Sequence, residues 1–201
     1  MSEKGFTHLH LHTQYSLLDG AISFEPLFAQ CKKLGMDSVA ITDHGNMFGA
    51  LEFYIKAKAA GIKPIIGIEA YIAPGSRHDK SKSSISDAAY HLILLADNNT
   101  GYRNLLKLAS IGYTEGFYYR PRIDKEVLAQ FNEGLICSSA CIKGEVTAAV
   151  ACGDMKAARA AAESYLRIFG PERFFIEIQC HKDEDPRSEE RRVGKECRTV
   201  C

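Results

Sequence analysis

The run His8-Leu9-His10-Leu11-His12 sets three imidazoles at a period of two, a pattern of residue types that could do chemistry. In an extended strand alternate side chains share a face, so His8, His10 and His12 would point the same way. Neutral imidazole is the commonest nitrogen ligand for metals, and two on adjacent same-face positions form a chelate. A lone strand histidine is more often an ordinary hydrogen-bonded residue. Three at this spacing, in a chain with seven histidines, shift the balance to metal binding.

Further polar residues interrupt apolar runs. Asp43 and His44 close the run VAITDH, where an α/β layer opens to its active-site face, although a strand-ending turn accounts for the pair equally well. Glu69 lies inside IIGIEAY, and an unpaired buried carboxylate is costly, so a cation or a strong hydrogen-bond network is expected beside it. His91 begins the next apolar run and raises the same question. Asp19, before Gly20, reads locally as a turn residue. Mixed imidazole and carboxylate donors suit Zn²⁺, Mn²⁺ or Fe²⁺, and shared carboxylates suit more than one ion. Clustered divalent cations activate water and neutralise phosphate, which is the chemistry of phosphoester hydrolysis.

Alternating strands and helices must bring these residues together. Thr7–Thr13 reads as a strand, Phe24–Leu34 as an amphipathic helix closed by Gly35, and Asp37–His44 as a buried strand. A helix across Met47–Ala60 stops at Gly61, and Lys63–Ala73 is an Ile-rich strand. Pro74–Asp87 reads as an exposed loop. His91–Asp97 resumes as a strand, Gly101–Tyr113 as a helix, and the aromatic segment Gly116–Asp124 precedes a small helix. Gly134–Ala140 is a strand, Asp154–Phe169 an alanine-rich helix, and Phe174–Gln179 the last strand. Strands separated by helices imply parallel pairing with right-handed crossovers, in a barrel or a doubly wound sheet.

Lys+Arg and Asp+Glu both total 25, so net charge gives no sign of a nucleic-acid partner and any DNA contact must be local. Hydrophobic residues make up 46%, which suits a globular chain with a substantial core. No apolar run is long enough to cross a bilayer and no signal-peptide pattern opens the chain, so a cytoplasmic protein without a membrane partner is expected. The seven cysteines show no CxxC pair and read as reduced thiols, Cys141 apart. The string Arg187–Cys197, RSEERRVGKEC, is the translation of a common sequencing adapter. Native sequence is therefore expected to span 1–186, and 187–201 to be an artefact.

The stretches HLHLHTQYSLLDG, ITDHGNMFGALEFYIKAKAAGIKPIIGIEAYIA, HLILLADNNTGYRNLLKLAS, GFYYRPRID and LICSSACIKGEV, in this order, resemble the PHP domain that opens bacterial DNA polymerase III alpha subunits. The resemblance covers Phe6–Gln179. It implies an α/β fold, a PHP-type distorted (β/α)₇ barrel related to the TIM barrel, binding up to three divalent metals, Zn²⁺ or Mn²⁺. Carried over by motif, His10 and His12 form the HxH pair, with His8 a neighbour. Asp19, His44, Glu69 as the bridging carboxylate, His91 and Cys141 complete the ligands, with Asp43 behind His44. Cys141 stands where many relatives have His, and a thiolate is a sound zinc ligand.

The family's last two ligands come from an Asp-x-His motif on a later strand, and none follows Cys141; His181 stands near Asp183 in the wrong order. The barrel is therefore expected to be incomplete at its C-terminal end. Arg120 and Arg122, in GFYYRPRID, are candidate phosphate contacts, or equally solvated arginines on a turn.

The resemblance implies a fragment of a replicative DNA-directed DNA polymerase. Its own polymerase site, which takes Mg²⁺, lies further along the parent chain, and its partners are DNA and replisome subunits. For the domain itself it implies metal-dependent 3′–5′ exonuclease or phosphoesterase chemistry. A stand-alone PHP phosphoesterase acting on a small monoester or nucleic acid is the alternative, and a non-catalytic domain held together by its metals is another.

Overall fold

The computed structural model describes residues 5–17, 19–81 and 89–179. The order is α1 (Phe24–Lys33), β1 (Ser38–Ile41), α2 (Ala50–Ala59), β2 (Lys63–Ile72), β3 (Tyr90–Ala96), α3 (Asn99–Thr114), β4 (Phe117–Tyr118), β5 (Arg120–Ile123), α4 (Lys125–Gln130), β6 (Leu135–Ser138), α5 (Glu145–Ala151), α6 (Met155–Phe169) and β7 (Phe174–Phe175). The expected artefact, residues 187–201, lies outside the described residues, as do His181, Asp183 and the boundary at Pro186.

β2 is the hub. Its first half pairs parallel with β1, its last two residues pair parallel with β5, and Gly67–Ile72 pair antiparallel with β3. β3 is antiparallel to β6, and β6 parallel to β7. The fully parallel sheet expected from strand–helix alternation is thus corrected at β3. β3 runs antiparallel to β2, and antiparallel neighbours need no crossover of the kind that parallel ones do. That reversal places the first residues of β3 beside the last residues of β2, with His91 opposite Tyr71.

Alternation along the strands separates two faces. Ile68, Ala70 and Ile72 of β2, with Leu92 and Leu94 of β3, join the main core beneath α3, α4, α5 and α6. The opposite face carries Ile65, Ile93, Leu95 and Ile136, which cluster with Ala40 and Ala140 in a small apolar plug. Glu69 and His91 share the parity of that inner face, Glu69 lying opposite Ile93 and His91 two residues before it. A third cluster packs α1 and α2 over Val39 and Ile41 of β1 through Phe24, Phe28 and Phe53.

Thr7–Thr13 forms no regular strand, contrary to expectation. It runs beside β1, with Ala40 N–H donating to His8 O and Thr42 N–H to Leu11 O. Three residues on this segment span two on β1, so one extra residue breaks the period of two and a bend falls at His10. Among the described residues, side chains and not a backbone ladder join this segment to the stretch after β7, through His10 and Glu177. β7 is shorter than expected, ending at Phe175, and α5 was not foreseen in the sequence.

Candidate metal centre

Glu69 is 1% exposed, and four imidazoles surround its carboxylate. On Oε2 converge His12 Nε2 at 2.9 Å and His44 Nδ1 at 2.8 Å. On Oε1 converge His91 Nδ1 at 2.7 Å and His10 Nε2 at 3.5 Å. Cys141 Sγ stands 3.7 Å from Oε1 and 3.8 Å from His91 Nδ1. Asp19, on the exposed side, accepts from His44 Nε2 at 2.8 Å.

Each residue arrives by a distinct local device. Glu69 comes from the middle of β2, facing inward above the apolar plug. His91 comes from the start of the reversed β3. His44 follows β1, where a parallel bridge to Glu69 continues the β1–β2 pairing, and Gly45 then turns the chain with φ 61. A side chain at Gly45 would also meet the Tyr71 ring at 2.8 Å. Cys141 follows β6 after Ala140, whose φ of 59 turns the backbone sharply.

Asp43 does not touch the imidazoles. It is buried and accepts from Thr13 N at 2.6 Å, Thr13 Oγ1 at 2.8 Å and Ser16 Oγ at 2.7 Å. Because Ser16 Oγ donates to Asp43, it can only accept from His12 Nδ1, at 3.0 Å, and from the His44 N–H, at 3.0 Å. His12 therefore carries its hydrogen on Nδ1 and aims the Nε2 lone pair at Glu69 and at His10 Nε2, 3.1 Å away. His44, donating from Nε2 to Asp19, aims its Nδ1 lone pair at the same carboxylate.

Lone pairs thus meet a carboxylate oxygen that has nothing to donate. His44 Nδ1 and Glu69 Oε2 are 2.8 Å apart, yet both are buried without a hydrogen-bond partner, since the close approach lacks hydrogen-bond geometry. Buried acceptors facing one another need a cation or a proton between them. The donor set is the mixed imidazole and carboxylate kind that suits Zn²⁺ or Mn²⁺. Among the described residues, three groups could each hold an ion: His10, His12 and Glu69; His12, Asp19 and His44; and His44, Glu69 and His91.

The electrostatics agree. Burial disfavours the imidazolium of His10, but hydrogen bonds to Glu177 and Glu69 outweigh it and raise its pKa to about 9. Burial likewise opposes the charge on Glu69, and the four histidines overcome it, holding the carboxyl far below the ordinary range. Burial, aided by the charge of Glu69, pushes the Cys141 thiol up to about 11. A cation at this point would reverse that last shift, because a coordinated thiol gives up its proton.

Of the sequence candidates, His10, His12, Asp19, His44, Glu69, His91 and Cys141 come together, with Asp43 behind them. His8 does not join them; it is exposed and packs edge-on against Phe6. Arg120 is exposed, stands over the Tyr71 ring and lines a cleft of about 630 Å³ beside Asp19, His44 and His91. Arg122 corrects the expectation of a phosphate contact. It is 1% exposed, and its guanidinium donates to the carbonyls of Gly116, Arg77 and Asp79.

Two participants were missed. Glu177 accepts from His10 Nδ1 at 2.7 Å, from Ser138 Oγ at 2.6 Å and from Gln179 Nε2 at 2.8 Å. Ser16 links Asp43 to two histidines. Glu177 alternates with Ile176 and Ile178 in FFIEIQ, a pattern that a strand with one solvent face shows as readily.

Residues 8–181 match the PHP domain family. Among curated proteins the chain is 51% identical over 182 residues to DNA polymerase III subunit alpha of Borreliella burgdorferi. It is 51% identical over 181 residues to that of Treponema pallidum and 49% identical over 183 residues to that of Thermus aquaticus. Each match takes in 90% of this chain but only 16%, 16% and 15% of the relative, so the chain spans about a sixth of their length.

Proposed function

The chain belongs to the PHP domain family, and from that premise we propose that it is a divalent-metal phosphoesterase site of the DNA polymerase III alpha kind. The proposed ligands are His10, His12, Asp19, His44, Glu69, His91 and Cys141, with Glu177 added through its contact to His10, and the proposed ion is Zn²⁺ or Mn²⁺. The reading extends to a setting in the cytoplasm beside DNA and the other replisome subunits, with polymerisation and its Mg²⁺ elsewhere in a longer protein. No described helix is long and apolar enough to cross a membrane.

The observation that carries the reading is the buried, partnerless pair of acceptors, His44 Nδ1 and Glu69 Oε2, at the centre of four histidines. When bound, the metals would supply positive charge for a phosphate and an acidified water as nucleophile. The chain's own residues do the rest. Glu69 offers one oxygen to each side of the cluster and so spaces the imidazoles. Asp43, through Ser16, holds His12 in the tautomer that leaves Nε2 free. Asp19, 57% exposed, stands at the mouth where an ester must arrive. Arg120 lines the same cleft and is placed to neutralise a phosphate oxygen.

The test measures bound Mn²⁺ or Zn²⁺ and hydrolysis of bis(p-nitrophenyl) phosphate by the whole chain and by Glu69→Gln. The expected outcome is metal-dependent turnover that falls by roughly two orders of magnitude or more in the variant, together with lost metal. A chain that binds no divalent ion, or a variant that hydrolyses as the parent does, overturns the reading.

A further inference from the structure

The cleft beside the metal centre is more than an entrance. Its far wall is a row of exposed aromatic rings from three separate elements. Phe48 lies ahead of α2, Tyr113 in the last turn of α3 and Phe117 in β4. The Phe48 and Tyr113 centroids are 6.2 Å apart, and those of Tyr113 and Phe117 also 6.2 Å with planes 29° from parallel. Phe48 is 62% exposed, Tyr113 42% and Phe117 49%. Large exposed rings gathered in one concave place mark a binding surface. Tyr119 adds a fourth ring from the β4–β5 turn, where its φ of 59 is unusual for a side chain of that size.

Two cations complete the cleft. Arg120 follows Tyr119 in the lining. Lys143 lines the cleft too, its backbone carbonyl receiving the His91 N–H. The more buried His44 and His91 form its floor, and the exposed Asp19 stands at the mouth. Rings with a π-face, positive charge at backbone-phosphate reach and a metal-type cluster at the end match the chemistry of a single-stranded nucleic acid. A small phosphate monoester would leave the aromatic wall unused, and an apolar ligand would leave Arg120 and Lys143 unused.

We propose that Phe48, Tyr113, Phe117 and Tyr119 form a base-stacking platform that leads the end of a single nucleic-acid strand to the metal centre, with Arg120 and Lys143 on its phosphates. This rests on the phosphoesterase reading for what happens at the floor, but the platform itself is read by binding alone.

The experiment uses the whole chain and a fluorescently labelled oligodeoxythymidylate, with an abasic strand of equal length as control, and reads anisotropy. The parent protein is expected to bind the base-bearing strand roughly ten-fold or more tightly than the abasic one. The Tyr113→Ala, Phe117→Ala double variant is expected to lose that preference, and Phe117→Trp to keep it, since tryptophan still stacks. Equal affinity of the parent for both strands overturns the platform, and so does a double variant that keeps the preference. Glu69→Gln separates the two proposals. Base-dependent binding that persists without hydrolysis in any form of the protein defeats the phosphoesterase reading and leaves the platform standing.

Discussion

Asp43 illustrates how a residue without a contact to the cluster can govern it. Its two oxygens take the Thr13 and Ser16 donors, and Ser16 in turn fixes the hydrogen of His12. Asp43→Asn puts an amide where one of those acceptors stood, so Ser16 can turn its hydrogen toward His12 and the Nε2 lone pair is no longer enforced. Metal affinity is expected to fall roughly 10- to 100-fold, the usual penalty for disturbing a group that orients a ligand. Titration calorimetry with Mn²⁺ checks it; unchanged affinity would show that Ser16 holds His12 unaided. The residues that gather in the cluster were legible, because imidazoles at period two and a carboxylate in an apolar strand are uncommon without a purpose. Glu177 was not, since one carboxylate in a short strand is ordinary on a solvent face and only the fold turns it toward His10. The extra residue opposite β1 that sends His8 to solvent leaves no trace in the pattern of HLHLH.

At the scale of elements the sequence spelled out helices and strands well and their directions less well. Gly35 and Gly61 mark the ends of α1 and α2, and the caps Asn98, Asp124 and Asp154 stand before α3, α4 and α6. The reversal of β3 was hidden because direction depends on the connection, and the stretch from Pro74 reads simply as a loop. Asp124 joins that loop to the next helix. It caps α4 through the Val127 N–H and takes the Arg77 N–H at 2.8 Å and Nη1 at 3.1 Å. Burial opposes its charge, but these donors outweigh that and hold its carboxyl below the ordinary 3.8. A carboxyl depressed in the folded state contributes stability above its unfolded pKa and loses it as pH falls through the folded one. The contribution is therefore complete at neutral pH and fades below about pH 4. Asp124→Ala is expected to cost about 1–3 kcal/mol at pH 7, because it uncaps α4 and takes one acceptor from Arg77, which keeps its pair with Glu115 at 2.8 Å. The gap between parent and variant should narrow in acid. Urea titrations at pH 7 and pH 3.5 measure it, and a gap that stays constant between them would mean that the charge contributes nothing.

Across the whole molecule, the inner face joins an apolar plug to a polar cluster, and the two have opposite needs. Ile65, Ile93, Leu95 and Ile136 gain from excluding water, which deprives Glu69 and the histidines directly above them of solvation. The N-terminal segment, the turn after β1, β2, β3 and the turn after β6 all send a side chain into that cluster, so its charge balance bears on how these parts of the chain hold together. Divalent cations bound there favour the folded chain by mass action, by about 2.7 kcal/mol at a hundred times the dissociation constant. For a chain of this size that is a rise of roughly 5–11 °C in the thermal midpoint. Calorimetry with and without Mn²⁺ should show the rise, a chelator should reverse it, and Glu69→Gln should abolish it. Pairing that measurement with hydrolysis separates a catalytic site from a merely structural one. A His10→Ala protein that keeps most of the metal-induced rise but loses turnover places the chemistry at the cluster. If every substitution that removes turnover also removes the same share of the rise, and the parent's turnover does not depend on which ion is bound, the metals hold these parts of the chain together and do nothing more.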